Sequence, residues 1–187
     1  VSSREKEQTS VIALAGRRVD AAGTNPPRFP LANVPLVHKR LVELLLLKNA
    51  GALVCSAACG ADLIALQAAG ERGLRLRVVL PFSPKRFRET SVVDRPGDWG
   101  TLYDRVIAEV KAKGDLVVLP AVPGGDNDAY QAANEAIVWE AKNLPGLQER
   151  TAVIVWEGSP RSASDATESF RRLAEGAGFS QCFVLTL

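Results

Sequence analysis

Residues capable of binding or catalysis cluster at a few places along the chain. "VIALAGRRVD" carries an apolar run into Gly16, Arg17 and Arg18. Glycine lets the backbone turn sharply and lets a ligand approach the main chain, and an arginine fork matches a phosphate. "CSAACGADLIAL" leads small residues, Ser56 and Ala57, into Gly60, Ala61 and Asp62 at a helix start. The free N–H groups there form an anion site, and Asp62 suits either the helix dipole or a ribose hydroxyl. "PGGDNDAYQAANEA" sets Gly124, Gly125 and Asp126 before Tyr130 and Asn134, which are four apart and share one helix face. Tyrosine stacks on a base, and asparagine pairs with a base edge or a ribose. Glu157 follows a further apolar run. Each feature also has a plain structural reading: a solvated turn with two arginines, a dipole-matched Asp62, a Tyr130–Asn134 packing pair.

Regular elements must position these residues. "VIALA", "ALVCS", "LRVVLP", "LVVLP", "AVIVW" and "CFVLTL" are short runs rich in Val, Leu and Ile, as strands buried on both faces require. Amphipathic stretches lie between them: one from Pro35 to Gly51, one ending at Gly73, one ending at Gly114, then "NDAYQAANEAIVWEAKN" and "SASDATESFRRLAEGAG". Alternation of this kind predicts an α/β, Rossmann-like doubly wound fold, a mostly parallel sheet of about six strands flanked by helices. Ligands in such folds sit beyond the C-terminal strand ends, so the loops after the strands are the informative ones. "PFSPKRFRETSV", with two prolines and four charged residues, reads as a long ordered connection rather than a helix.

The 187 residues suffice for one domain. Residues 1–10 read as a flexible leader and 11–187 as a single domain. The net charge of +2 creates no strong field and disfavours nucleic acid as partner. No apolar run approaches membrane-spanning length, which gives no membrane partner. The chain starts at Val1 and contains no methionine, as a trimmed chain or a domain of a longer one would. Cys55, Cys59 and Cys182 form no even disulfide set and suit a cytoplasmic setting. A dinucleotide glycine fingerprint and a Walker lysine loop are absent. The one histidine, His38, lies within a helical stretch, which disfavours histidine triads and metal sites. No cofactor or metal is expected.

"ALVCSAACGADLIALQAAGERGLRLRVVLPFSPKRFRETSV", followed by "GGDNDAYQAANEAIVWEA" and "AVIVWEG", resembles the SLOG superfamily. These are Rossmann-like domains related to the LOG phosphoribohydrolases and to the DNA-processing protein A fold. The resemblance implies binding or sensing of a nucleotide-derived signal, of ADP-ribose or cyclic nucleotide type, in bacterial signalling or defence. It implies a fused or associated effector and a homo-oligomer as partners. The family's ligand loops fall on Gly16 and Arg17, on Ser56 to Asp62, and on Gly124–Gly125 with Tyr130 and Asn134. The catalytic LOG pattern is incomplete: Gly125 is followed by Asp126, Asn127 and Asp128, and Gln131 stands where the glutamate belongs. A sensor is therefore the first expectation. The alternative is an N-glycosidase acting on a nucleoside phosphate or NAD-type substrate, with Asp62, Asp126, Asp128 and Glu157 as its carboxylates.

Overall fold

The structure is a computed structural model and describes residues 10–187. The leader expected over residues 1–10 lies outside the described residues except for Ser10. That residue opens the first strand, is fully buried, and donates from its hydroxyl to the Lys48 carbonyl.

The six expected strands all form: β1 (Ser10–Gly16), β2 (Ala50–Cys55), β3 (Arg75–Leu80), β4 (Leu116–Val118), β5 (Glu149–Trp156) and β6 (Ser180–Leu185). They pair in parallel in the order β4-β3-β2-β1-β5-β6. Between them run α1 (Val34–Leu47), α2 (Ala61–Glu71), α3 (Pro84–Ser91), α4 (Trp99–Ala112), α5 (Asp126–Asn143) and α6 (Ala166–Gly176). This is the Rossmann-like α/β architecture that the alternation implied. None of the described helices is long and apolar enough to cross a membrane.

Period-two alternation along each strand splits the core into two layers. Ile12, Leu14, Leu53, Cys55, Val153 and Val155 face one side, with α1, α2 and α4. Val11, Ala13, Val54, Ala152 and Ile154 face the other, with α5 and α6. Every strand near the centre is covered on both faces, which is why its sequence reads as an unbroken apolar run.

Three local expectations need correction. The segment after β3 contains helix α3 and is not only a loop. Pro84 occupies the first turn, where a missing N–H costs nothing, and the Ser83 side chain accepts from the Arg86 N–H as an N-cap. The helix also buries Phe87. Helix α1 stops at Leu47 rather than at Gly51: Asn49 takes the left-handed turn at φ 53°, and Gly51 belongs to β2. Strand β4 is only three residues long, shorter than its apolar run, and lies at the sheet edge.

Candidate functional site

The chain fills the sheet from β1 outwards to β4, then α5 carries it back across to β5 on the other side of β1. The strand order therefore reverses between β1 and β5. The connections leaving their C-terminal ends diverge and open a crevice. A cleft of about 500 Å³ lies there. Its floor comes from the end of β1, with Leu14, Ala15 and Gly16, and its walls come from the loops after β1, β2 and β5 and from α3 and α5.

Arg17 does not serve this cleft as a free cation. Its side chain is only 2% exposed, and each of its three nitrogens donates to protein acceptors, in five hydrogen bonds. Nε donates to Glu157 Oε2 at 2.6 Å and Nη1 to both Asp165 oxygens at 2.8 and 2.7 Å. Nη2 donates to Glu157 Oε1 at 3.2 Å and to the Ser159 carbonyl at 2.8 Å. The Arg28 guanidinium bonds Glu157 as well. Asp165 also caps α6, accepting from the Thr167 and Glu168 N–H groups, and takes the Arg161 N–H. Arg17 thus ties the loop after β1 to the loop after β5 and fixes the width of the cleft. Burial pushes the Asp165 and Glu157 carboxyls up. The Arg161 N–H and Arg17 at Asp165, and Arg17 with Arg28 at Glu157, outweigh it and hold both below the ordinary range. Glu157 is accordingly a partner of arginines rather than an open ligand group.

The start of α2 is likewise occupied by protein. The Ala61 N–H donates to the Arg17 carbonyl at 3.0 Å, and the Leu63 N–H to the Ala58 carbonyl at 3.3 Å. Gly60 has φ 96°, and a Cβ there would meet Arg17 O at 2.7 Å and Val19 N at 2.8 Å. Its smallness serves backbone packing against the loop after β1, not the approach of an anion. Gly16 is similar, with Ala61 Cβ 2.5 Å from where its own Cβ would stand. Ala57 and Ala61 are core residues. Replacing Gly60 by Ala is therefore expected to destabilise the fold by about 1–3 kcal/mol through strain and overpacking. A urea midpoint unchanged from wild type would show that the loop simply moves aside.

Ser56 and Asp62 do reach the cleft. The Ser56 hydroxyl oxygen is buried and has no hydrogen-bond partner among the described residues. Asp62 is 7% exposed and accepts one hydrogen bond, from the Ala58 N–H to Oδ2 at 3.1 Å. Burial pushes its carboxyl up to about 7, against the Ala58 N–H and the Arg18 charge.

Arg18 stands at the rim, one-third exposed, donating to both Asp94 oxygens at 2.9 and 2.7 Å. The Tyr130 hydroxyl bonds the Ser91 hydroxyl at 2.8 Å, and its ring meets Phe82 edge-on at 5.5 Å. Asn134 is 7% exposed and donates from Nδ2 to the Ala166 carbonyl at 2.9 Å. Both residues line the cleft, and each also makes a contact within the protein. Gly124, Gly125 and Asp126 do not line it. The two glycines have φ 106° and 97°, so the turn into α5 itself calls for glycine, and Asp126 pairs with Arg86 at the surface at 2.6 Å.

Arg28, Arg95 and Arg161 line the cleft and were not singled out from the sequence. Arg28 arrives through the loop after β1, which Asp20 folds back by accepting the Arg28 and Phe29 N–H groups at 2.9 and 3.0 Å. The signal for Arg28 and Arg161 was present, since both follow apolar runs that end at the cleft. Arg95 depends on α3, which was not anticipated. Neither Cys55 nor Cys59 is a candidate nucleophile. Burial raises both thiols, Cys59 to about 11.

No protein-family model matches the chain. No curated protein matches it. Among solved structures it is similar to the X-ray structure of DNA processing protein A (DprA) from Streptococcus pneumoniae, with a TM-score of 0.55 and 17% sequence identity. The match covers 94% of this chain and 50% of the other, so the chain spans about half that protein's length. At this identity the likeness shows a shared fold.

Proposed function

We propose that the chain is a SLOG-type domain that binds a nucleotide or nucleotide-derived small molecule in the cleft between the ends of β1 and β5. The observation that carries this reading is the cleft itself: about 500 Å³ at the sheet's switch point, with arginines at its rim and Tyr130 and Asn134 on one wall. Arg18 and Arg95 pair only with the partly exposed Asp94, and Arg161 is half-exposed with a single long contact of 3.5 Å to the buried Asp165, so each keeps N–H groups that a phosphate could take. The ring of Tyr130 offers a face or edge to a base. The finer part of the proposal is a signal of ADP-ribose or cyclic nucleotide type, sensed on behalf of an attached or associated effector in bacterial signalling or defence.

The neighbour's name raises DNA as a competing occupant. A small ligand suits the site better. Arg18 and Arg95 both pair with Asp94 at the rim, and the net charge of +2 gives no basic track along which an extended phosphate backbone would lie. A hydrolytic reading has one specific support: a carboxyl at Asp62 that titrates near 7 inside the cleft is suited to moving a proton.

The test is a thermal-shift panel of AMP, ADP, NAD, ADP-ribose, cyclic ADP-ribose isomers, cyclic dinucleotides and a short single-stranded DNA, with each small ligand recovered and weighed by mass spectrometry. A ligand at about 100 times its Kd should add about 2.7 kcal/mol, or roughly 5–10 °C for a domain of this size. A shift with intact small ligand supports the sensor, and cleaved ligand supports the hydrolase. A shift with DNA alone, or none with any ligand, overturns the proposal.

A further inference from the structure

Two polar side chains that line the cleft each keep an oxygen that no described residue bonds, and they sit on consecutive elements. Ser56 follows β2 directly, and Asp62 lies in the first turn of α2. The Ser56 hydroxyl oxygen is buried and unpartnered among the described residues. Asp62 uses Oδ2 for the Ala58 N–H, while Oδ1 accepts no hydrogen bond from any described residue. Both side chains line the same cleft. A buried polar atom in a folded protein is almost always paired, so the open Ser56 hydroxyl marks a site or a missing partner, and Asp62 offers a free acceptor beside it in the same cleft lining. Ala58 of the same loop also lines the cleft, while the adjoining Ala57, Cys59 and Ala61 are buried in the core, and the Ala61 and Cys59 N–H groups are taken by the Arg17 and Ser91 carbonyls.

We infer that Ser56 and Asp62 together recognise a sugar hydroxyl, so that the ligand of this cleft is a ribonucleotide-type molecule and not its 2′-deoxy counterpart. A hydroxyl is the complement that both groups need. Its O–H donates to Asp62 Oδ1, and its oxygen accepts from the Ser56 hydroxyl. A phosphate fits less well, because an anion next to a buried carboxyl would be repelled. An apolar group would leave both oxygens unpaired. The arginines stand at the rim, on the loops after β1, α3 and β5, so an anionic end is held there while the sugar lies against Ser56 and Asp62. The inference rests on the nucleotide-binding reading and sharpens it, since a cleft that requires this hydroxyl excludes DNA.

The experiment compares matched pairs by calorimetry on the wild-type chain: AMP with 2′-deoxy-AMP, ADP with 2′-deoxy-ADP, and ribose 5-phosphate with 2-deoxyribose 5-phosphate. The ribo member is expected to bind about 10- to 100-fold more tightly, the range for one hydrogen bond to a charged group. Ser56→Ala and Asp62→Asn are then read by the ribo/deoxy ratio rather than by affinity alone. A loss of fold would weaken both members alike, whereas loss of hydroxyl recognition brings the ratio towards one. Equal binding of the two members by the wild-type chain overturns the inference and leaves the nucleotide reading standing. An unchanged ratio in both variants overturns the assignment to these residues. Failure of every member to bind overturns the nucleotide reading and this inference with it.

Discussion

Arg17→Leu is expected to lose about 3–5 kcal/mol of stability at neutral pH, the usual cost of removing one partner from a buried ion pair. For a domain of this size that lowers Tm by roughly 6–20 °C. The reason is what remains behind. Asp165 has a fully buried side chain and Glu157 is 9% exposed, and Arg17 supplies charge to both. Without it, each carboxylate stays in a low-dielectric site with fewer donors. The pH dependence distinguishes this from lost packing. In the wild type both carboxyls are held below their ordinary values. Their stabilisation is therefore complete above the unfolded values of 4.5 and 3.8 and is lost as the pH falls through the folded ones. In the variant, burial acts with less opposition, so the carboxyls shift upwards and charging them costs stability. The gap between wild type and variant should accordingly widen from pH 3 to pH 7. Arg17→Lys should recover little, because one ammonium cannot serve two carboxylates and a carbonyl as the planar fork does. Adding Asp165→Asn to the leucine variant should restore part of the loss. Urea titrations at several pH values measure all of this. A loss that is the same at pH 3 and pH 7 would mean that Arg17 matters only through its volume.

The architecture was legible because its signal is carried by whole segments. Six apolar runs separated by amphipathic stretches admit little besides a parallel sheet wound on both faces. Single side chains were harder to place. Arg17 and Arg18 are neighbours with the same chemistry, yet one is locked beneath the loops and the other stands at the rim. The difference comes from Asp165 and Glu157, about 140 residues further along the chain. Local spacing has no access to that. Gly60 shows a second limit. A glycine at a helix start suits an approaching phosphate and an approaching backbone equally well, and here the backbone of residues 17–19 occupies the space. Helix α3 was hidden by its prolines, which break a helix interior but favour its first turn. Ser56 and Asp62 stand out in the sequence as part of a small-residue loop entering a helix, but so do Ala57 and Ala61, which turn out to be core residues. The open oxygens of Ser56 and Asp62 emerge only from the three-dimensional arrangement.

Asp62→Asn should act in the opposite sense to Arg17→Leu. Burial raises the Asp62 carboxyl from 3.8 to about 7, so the folded chain holds a proton there that the unfolded chain releases. The stability this contributes is fully present below pH 3.8 and is lost as the pH rises through about 7. The shift corresponds to on the order of 4 kcal/mol at most. Asparagine keeps an oxygen for the Ala58 N–H and carries no charge, so it removes the penalty. The variant should match wild type only below about pH 3.8, where both hold a neutral group, and exceed it by about 2–4 kcal/mol at pH 8, with a Tm raised by roughly 4–16 °C. An equal difference at pH 5 and pH 8 would show that Asp62 is not the group that titrates. Opposing slopes follow for the wild-type chain: the Arg17 network weakens the fold as the pH falls below about 4, and Asp62 weakens it as the pH rises towards 7. The first site holds the cleft walls together at a gain in stability, while the second leaves a charge in the cleft at a cost. A fold retains such a cost where a bound group relieves it. A ligand hydroxyl donating to Asp62 favours the carboxylate, so it should lower the carboxyl's titration point and release a proton on binding near pH 7. Calorimetry of AMP in two buffers of different ionisation enthalpy reads that proton directly, and Asp62→Asn should abolish it.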